Sequence, residues 1–167
     1  GDWNDSTEYY QAKVQGVIDF IRAGDVFQVN LARRYRARCD VAAVQLYQRL
    51  CEANPACYSA LLQGDSGQEW SVLSSSPELF LSVGDGVVLT RPIKGTAPRG
   101  ATPSDDAANR RILATSPKDR AELNMIIDLL RNDLGRVCEF GSVSVLCDGE
   151  IEELPTVFHR TATISGR

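Results

Sequence analysis

Histidine and methionine are almost absent from this chain of 167 residues, which has one of each. Its five cysteines include no Cys-x-x-Cys pair. Structural zinc sites need several closely spaced thiolates and imidazoles, so we expect no zinc site. An odd number of cysteines without paired spacing is typical of free, mostly buried thiols in a reducing compartment. These features predict a cytoplasmic location.

Long apolar runs and excess positive charge are missing as well. No window approaches the roughly 18 consecutive apolar residues of a transmembrane helix, and the acidic start GDWNDSTEYYQ lacks the pattern of a signal peptide. The net charge of −4 argues against a nucleic-acid partner. No G-x-G-x-x-G or Walker lysine motif predicts a nucleotide-binding loop. We therefore expect a soluble globular protein that binds neither membrane nor nucleic acid.

The hydrophobic spacing predicts helices over three segments, each with its own start or stop signal. They are residues 6–23, 41–55 and 116–137. The polar residues 101–116 predict a loop with a short helix.

Strand patterns fill most of the remaining chain. Residues 25–39 alternate and predict a long strand with one polar face, on which Arg34, Arg36 and Arg38 form a solvated row. Other segments are separated by glycine-containing turns and predict hairpins or single strands; they are residues 57–63 with 69–75, residues 78–83 with 86–90, residues 142–147, and residues 155–165. Because the strands come mostly as hairpins, the predicted class is α+β, an antiparallel sheet with packed helices.

One lysine stands in an unusual place. The stretch RPIKGTAPRG, residues 91–100, puts Lys94 in what the prolines and glycines predict to be a turn. Three interpretations are open for this side chain: a spare surface charge, a clamp for a phosphate or carboxylate, or a nucleophile.

Other candidate residues are carboxylates and the single histidine. Asp119 and Glu122 share one face of a helix, where they can hold Mg²⁺, although acids in a first turn more often favour the helix dipole. Glu78 starts a strand after a proline and is either a general acid or an exposed side chain. His159, in an apolar strand, has the pattern of a hydrogen-bonded core residue. These patterns alone predict no reaction.

Five stretches occur together and in a recognisable order. They are AGDVFQVNLARR, SSSPELFL, RPIKGTAPRG, SPKDRAELNMIIDLLRNDLGRV and PTVFHR, which span nearly the whole chain. In this combination the chain resembles the chorismate-binding enzymes. The resemblance implies the two-layer, anthranilate synthase-like fold of that family, chorismate as substrate and Mg²⁺ as cofactor.

Two positions indicate a branch of the family. Gln28 stands where water-using members have a lysine base, so it resembles the members that use ammonia. Lys94, within PIKGT, resembles component I of the aminodeoxychorismate synthases, in which this lysine is taken to attack C2 of chorismate; anthranilate synthases usually have alanine there. The resemblance thus implies formation of 4-amino-4-deoxychorismate in folate biosynthesis, with ammonia from a glutamine amidotransferase subunit.

The resemblance also implies a set of site residues. The catalytic residues would be Lys94, Glu78 as general acid, and His159 near the departing group; the substrate-binding residues would be Gln28, Gly95 and Thr96; the metal site would contain Glu122, with Asp119 as a nearby acid.

The chain also departs from the family pattern. Leu123 stands where the family has histidine or asparagine. The family's C-terminal half, with its GAPK segment, a carboxylate-binding arginine and further Mg²⁺ glutamates, lies outside residues 1–167, as does the N-terminal region. We therefore expect residues 1–167 to be the N-terminal part of a catalytic domain, truncated at both ends. Alone, it should be inactive and should self-associate through an uncovered apolar face.

Two alternatives to the aminodeoxychorismate assignment are open. One is component I of anthranilate synthase, against which Lys94 argues. The other is a catalytically silent piece of the chorismate fold that binds a partner subunit.

Overall fold

The computed structural model describes residues 1–65, residue 67 and residues 69–167. The chain divides into two compact units, Gly1–Gln45 and Leu46–Arg167. Helices and antiparallel strands make up both, so the predicted α+β class is confirmed.

The first unit is built around one helix. Helix α1, Thr7–Ala23, begins where Ser6 caps it and ends at Gly24, whose φ of 83° is the left-handed conformation that glycine adopts without strain. This helix was predicted over residues 6–23. A two-stranded antiparallel ladder pairs β1 (Asp2–Trp3) with β2 (Tyr35–Arg36) in the same unit.

The long strand predicted over residues 25–39 is wrong. A strand is stabilised by a partner backbone, and in this segment only β2 pairs, with the short β1. Side chains hold the rest of the segment instead. The Tyr10 hydroxyl donates to the carbonyl of Leu31 at 3.1 Å, and the Arg33 guanidinium lies 4.5 Å from the centre of the Trp3 ring and 5.2 Å from that of Tyr10. Alternation along the sequence does not reveal such cation–π contacts.

Two hairpins open the second unit, after helix α2 (Ala43–Ala53). The first pairs β3 (Ala60–Asp65) with β4 (Glu69–Ser74), as predicted; its predicted turn includes Ser66, which lies outside the described residues. The second pairs β5 (Leu79–Gly84) with β6 (Val87–Arg91). Asp85 and Gly86 join these strands with φ of 52° and 73°, the two positive angles of a tight hairpin turn.

A five-stranded sheet forms the centre of the second unit. It contains β5, β6, β7 (Ile93–Pro98), β8 (Ser144–Glu153) and β9 (Val157–Gly166). Strand β8 pairs with β9 along its length, so β6 and β7 follow each other along the opposite edge of β9. Strand β9 is therefore the most enclosed strand, and it coincides with the predicted strand 155–165.

Two helices cover one face of this sheet. They are α3 (Pro103–Thr115) and α4 (Pro117–Gly135), and Ser116 caps the second as predicted. Helix α3 has 13 residues, so the expectation of a loop with only a short helix over 101–116 is wrong. The sequence of α3 shows no clear apolar stripe, because Leu113 is its single buried residue.

The core lies between these helices and alternate residues of β9. One cluster contains Leu123, Ile127, Leu134, Ala162 and Ile164; a second contains Ala97, Leu113 and Phe158. Residues of β9 between these positions lie on the other side of the sheet, which we call the polar face; they are His159, Thr161, Thr163 and Ser165. All five cysteines are free, as expected, but two are exposed and three are half-buried, so the expectation that most are buried is wrong.

A bidentate ion pair fixes the loop between β7 and α3. Nε and Nη2 of Arg99 donate to the two carboxylate oxygens of Asp106 at 2.8 and 2.7 Å, and the Gly100 amide donates to the same carboxylate at 2.8 Å. These bonds, that of Arg99 first, lower the pKa of Asp106 from 3.8 to about 2. The ionised form is thus stabilised by folding.

Asp106→Asn is expected to lower the thermal unfolding midpoint at pH 7. A carboxylate with a lowered pKa stabilises the fold above its unfolded pKa of 3.8, and the contribution disappears as the pH falls through about 2. The difference between variant and wild type should therefore shrink across that window when unfolding is followed by circular dichroism. Asp105→Asn is the control, since Asp105 accepts only from the cap Thr102 at 2.7 Å. An equal loss in both variants would contradict this role of Asp106.

Candidate functional site

Lys94 and Gly95 form a bulge in β7. Ile93 pairs with Thr161 and Thr96 with His159, so two residues of β7 oppose the single residue Arg160 of β9. Lys94 is therefore a half-buried strand residue, and the predicted turn at this position is wrong. The bulge explains why the sequence resembles a turn, because it requires the positive φ of 92° that Gly95 adopts.

The bulge brings β7 against the start of α4. A Cβ atom added to Gly95 would lie 2.9 Å from Cβ and Cγ of Asp119 and 2.9 Å from Cδ1 of Leu113. Glycine is thus required twice at this position, by the backbone angle and by the close approach of Asp119. Residues 95 and 119 were predicted as substrate-binding and metal-site residues, and the fold places them in contact.

Two carboxylates at the start of α4 are the candidate ligands for a divalent cation. Asp119 and Glu122 are one turn apart at the start of the helix, and Glu122 lies 3.8 Å from the ammonium of Lys118. Among the described residues, no group of three or more His, Cys, Asp and Glu side chains is placed to hold a metal. Mg²⁺ commonly binds through one or two carboxylates together with water and substrate oxygens. Two carboxylates are therefore the number and type of protein ligands that a Mg²⁺ site of this kind uses.

Leu123 is part of the core in this chain. It is buried with 1% exposure and packs with Ile127, Ala162 and Ile164. The polar side chain that the family resemblance would place beside Glu122 is therefore replaced by an apolar contact under the sheet.

Thr96 and His159 are joined on the polar face. They are direct partners across β7 and β9, and Oγ1 of Thr96 lies 2.9 Å from Nδ1 of His159. Partial burial of the ring lowers the pKa of His159 below 6.5, while the carboxylates of Glu152 and Glu78 act in the opposite direction. The expectation of a hydrogen-bonded histidine is thus confirmed, but the ring is half-buried on the polar face and lies outside the core clusters.

Glu78 is fixed beside the bulge. Its Oε1 accepts from the amide of Ile93 at 2.8 Å, immediately before Lys94, and its own amide donates to Oγ of Ser76 at 3.2 Å. The side chain is exposed to solvent on its other side. Sequence reasoning assigned this residue to the start of β5, and the structure places it one residue before that strand.

Lys94 differs from the other lysines of the chain. Lys13 pairs with Asp5 at 2.8 Å and Lys118 with Glu122 at 3.8 Å. Among the residues that the structure describes, no ion pair includes Lys94. An amine without a carboxylate partner suits a nucleophile better than a structural salt bridge.

One predicted residue lies elsewhere. Gln28 belongs to the first unit, in an exposed segment without helix or strand. The second unit contains the seven other predicted residues. Glu122 follows Asp119 by one turn of α4, and the rest lie around the bulge of β7; they are Glu78, Lys94, Gly95, Thr96, Asp119 and His159.

Sequence reasoning missed two charged residues of the polar face. Nη1 of Arg91 lies 3.2 Å from both carboxylate oxygens of Glu152, and Glu152 is the partner of His159 across β8 and β9. The predicted strand ended at residue 147, whereas β8 continues to residue 153 and includes Glu152. Its alternation of apolar and acidic residues after Gly149 was the available signal.

The motif order and the fold agree with comparisons with known proteins. A family model described as chorismate binding enzyme matches residues 2–167. The chain belongs to the chorismate-binding enzyme family. The resemblance seen in the five sequence stretches is thus confirmed.

Relatives from two branches of the family are similar to the chain. Aminodeoxychorismate synthase component 1 of Klebsiella aerogenes is 45% identical over 164 residues, which cover 98% of this chain and 36% of the relative. Anthranilate synthase component 1 of Mycobacterium bovis is 39% identical over 165 residues, covering 97% and 32%. The chain therefore spans about a third of the length of these curated relatives.

Solved structures agree on the fold. Anthranilate synthase component I from Streptococcus pneumoniae TIGR4 superimposes with a TM-score of 0.83 at 33% identity, over 99% of this chain and 36% of that one. In the part of the chain that the structure describes, no helix has the length and apolarity needed to span a bilayer.

Gly95→Ala is expected to destabilise the second unit by about 1–3 kcal/mol, because alanine is strained at positive φ and its methyl group would collide with Asp119. Urea unfolding of the chain measures the change. Gly84→Ala is the matched control in the same sheet, since a Cβ there has no atom within 4 Å and no positive φ is required. Equal stability of the two variants would show that the bulge does not depend on glycine.

Proposed function

We propose that residues 1–167 form the N-terminal part of the catalytic domain of an aminodeoxychorismate synthase component I. This enzyme converts chorismate and ammonia to 4-amino-4-deoxychorismate in folate biosynthesis. The observation that carries the proposal is the place of Lys94, in a bulge beside Glu78, Thr96 and Asp119. Two component 1 relatives, at 45% and 42% identity, support the same branch.

Lys94 would be the nucleophile of the first step. Its neutral amine attacks C2 of chorismate, the ring double bonds shift, and the bond from C4 to its hydroxyl breaks. Ammonia then attacks C4, the double bonds shift back and the lysine nitrogen leaves C2. The amino group therefore ends at C4, where the hydroxyl was, and Lys94 is regenerated after it takes up its proton.

Glu78 would be the general acid for the departing hydroxyl. Its Oε1 is held by the Ile93 amide at 2.8 Å, which leaves Oε2 to carry and donate the proton. The same bond holds the Glu78 side chain next to the backbone of Ile93, the residue that precedes Lys94. General acid catalysis of this kind contributes about 10²–10⁴-fold to a rate.

His159 and Thr96 would act on the same departing group. Their hydrogen bond orients the imidazole, with Nδ1 on Thr96, and leaves Nε2 for a substrate or water oxygen. Thr96 and Gly95 would line the ring of chorismate.

Asp119 and Glu122 would contribute to the Mg²⁺ site. The ion would hold and polarise the ring carboxylate of chorismate. The remaining ligands and the carboxylate-binding arginine would come from chain beyond these residues, and the ammonia from a glutamine amidotransferase partner. Residues 1–167 alone are accordingly expected to form no product.

A second candidate is component I of an anthranilate synthase. It is favoured by the TM-score of 0.83 to the anthranilate synthase from Streptococcus pneumoniae and by relatives of 41% and 39% identity. The two candidates differ in product, because ammonia would then attack C2 and no lysine nucleophile would be needed. A silent fold that only binds a partner subunit would give neither product.

Lys94→Arg and Lys94→Ala distinguish these possibilities. Residues 1–167 replace the matching third of the Klebsiella aerogenes relative, and the chimera is assayed with chorismate, ammonium and Mg²⁺ by chromatography of the products. We expect aminodeoxychorismate from the parent chimera and none from either variant, because a guanidinium stays protonated and cannot attack. Loss of the lysine in the alanine variant is expected to shift residual product toward the aminated precursor of anthranilate.

Two further measurements accompany this assay. Mass spectrometry of the parent chimera quenched during turnover should detect an adduct on the peptide that contains Lys94. Glu78→Gln should lower the rate by about 10²–10⁴-fold without removing that adduct site. An active arginine variant without an adduct would instead make Lys94 a carboxylate clamp, because arginine binds carboxylates well.

A further inference from the structure

The polar face holds one ion pair that the proposed reaction does not use. Arg91 stands at the end of β6 and reaches Glu152 of β8, with Nη1 3.2 Å from both carboxylate oxygens. Both side chains are mostly enclosed, with 24% and 22% of their surface exposed. Charges enclosed to this extent are costly unless they are paired. We therefore asked which neighbouring residue the pair acts on.

The acidic residue of this pair stands opposite the histidine. Glu152 and His159 are direct partners in the β8–β9 ladder, and side chains of directly opposed residues lie on the same face with Cβ atoms about 4.5–5.5 Å apart. On the other side of β9, Thr96 is the direct partner of His159 and lies 2.9 Å from its Nδ1. His159 therefore lies between Thr96 on β7 and Glu152 on β8.

We propose that Arg91 and Glu152 are positioning residues for His159. Arg91 binds the carboxylate opposite the ring and so limits its attraction for the imidazole, which is held with Nδ1 on Thr96 and Nε2 available to a ligand. Nε2 has no hydrogen-bond partner among the described residues and is not one of the buried unpartnered atoms. The inference rests on the proposed function only for the role of Nε2 in binding the departing group of the substrate.

The charges around the ring are few. Glu152 on β8 and Glu78 before β5 are the carboxylates that act on it, and both favour the charged imidazole. Burial of the ring opposes them. Arg91 binds Glu152 from the end of β6, with the Tyr58 hydroxyl against its guanidinium, and the cation Lys94 lies in the bulge of β7. Thr96 on β7 is uncharged. Removal of Arg91 would free the Glu152 carboxylate from its partner, so its attraction for the charged imidazole would strengthen and the ring would bind a proton more readily.

The single histidine of the chain makes the test direct. Residues 1–167 are labelled with ¹⁵N, and the ring nitrogens of His159 are followed by NMR from pH 4 to pH 9. Nitrogen chemical shifts also report which ring nitrogen carries the proton. The measurement needs neither chorismate nor metal, so failure of the proposed reaction would leave its result intact, and the reverse also holds.

Arg91→Met is expected to raise the proton affinity of His159 roughly threefold to tenfold, because the facing carboxylate is then unbalanced. Arg91→Lys keeps the charge and should leave the titration close to wild type. Glu152→Gln should displace the midpoint in the opposite direction, to lower pH. The double variant Arg91→Met with Glu152→Gln should return toward wild type, since the pair is neutral in both proteins.

The neighbouring ion pair is the matched control. Arg110 and Glu153 lie 3.0 Å apart, but Glu153 pairs with the core residue Phe158 and so belongs to the helix face. Arg110→Met should leave His159 unchanged. The proposal is overturned if Arg91→Met does not move the midpoint in a chain whose amide spectrum is native, or if Arg110→Met moves it equally. Should Arg91→Met fail to fold, Glu152→Gln decides, and an unchanged or raised midpoint in that variant rejects the proposal.

Discussion

Strand β9 connects the core to the candidate site. Its alternating side chains face the helices at Phe158, Ala162 and Ile164, and the polar face at His159. Because the period of a strand is two, a shift of one residue in its pairing would exchange these two sets. The hydrophobic contacts with α3 and α4 therefore fix the register, and the register in turn places His159 between Thr96 and Glu152.

The bulge of β7 is the second constraint. It inserts one extra residue beside Arg160, which is 8% exposed and donates to the carbonyls of Leu113 and Ala114 at 3.2 and 3.1 Å. These carbonyls lie at the end of α3, where a positive charge is favourable. The same small region thus contains the end of α3, the start of α4 and the strand residue Lys94.

The sequence predicted the parts of the fold that depend on local pattern. Capped helices such as α1 and α4 and the hairpin turn Asp85–Gly86 are determined by short-range rules. The long strand over residues 25–39 failed because strand formation depends on a partner that alternation does not reveal. Helix α3 was underestimated because it packs mainly through one buried residue.

The candidate site divides in the same way. The resemblance to family motifs identified Glu78, Lys94 and His159. Their proximity in the structure results from pairing between strands that are distant in sequence. Arg91 and Glu152 escaped notice because they are 61 positions apart and meet only when β6 and β8 flank β9. Contacts of this kind are a property of the register, which no single stretch of sequence specifies.

Synthesis on the ribosome gives this topology a definite order of events. Strands β5, β6 and β7 emerge first, while their shared neighbour β9 follows after two helices and β8. Until then the inner edge of β6 and β7 is unpaired, and pairing across so large a sequence separation is slow. The edge of β6, Val87–Arg91, therefore stays unpaired while the chain up to β9 is synthesised. During that time a chaperone or another nascent chain can bind in the place of β9.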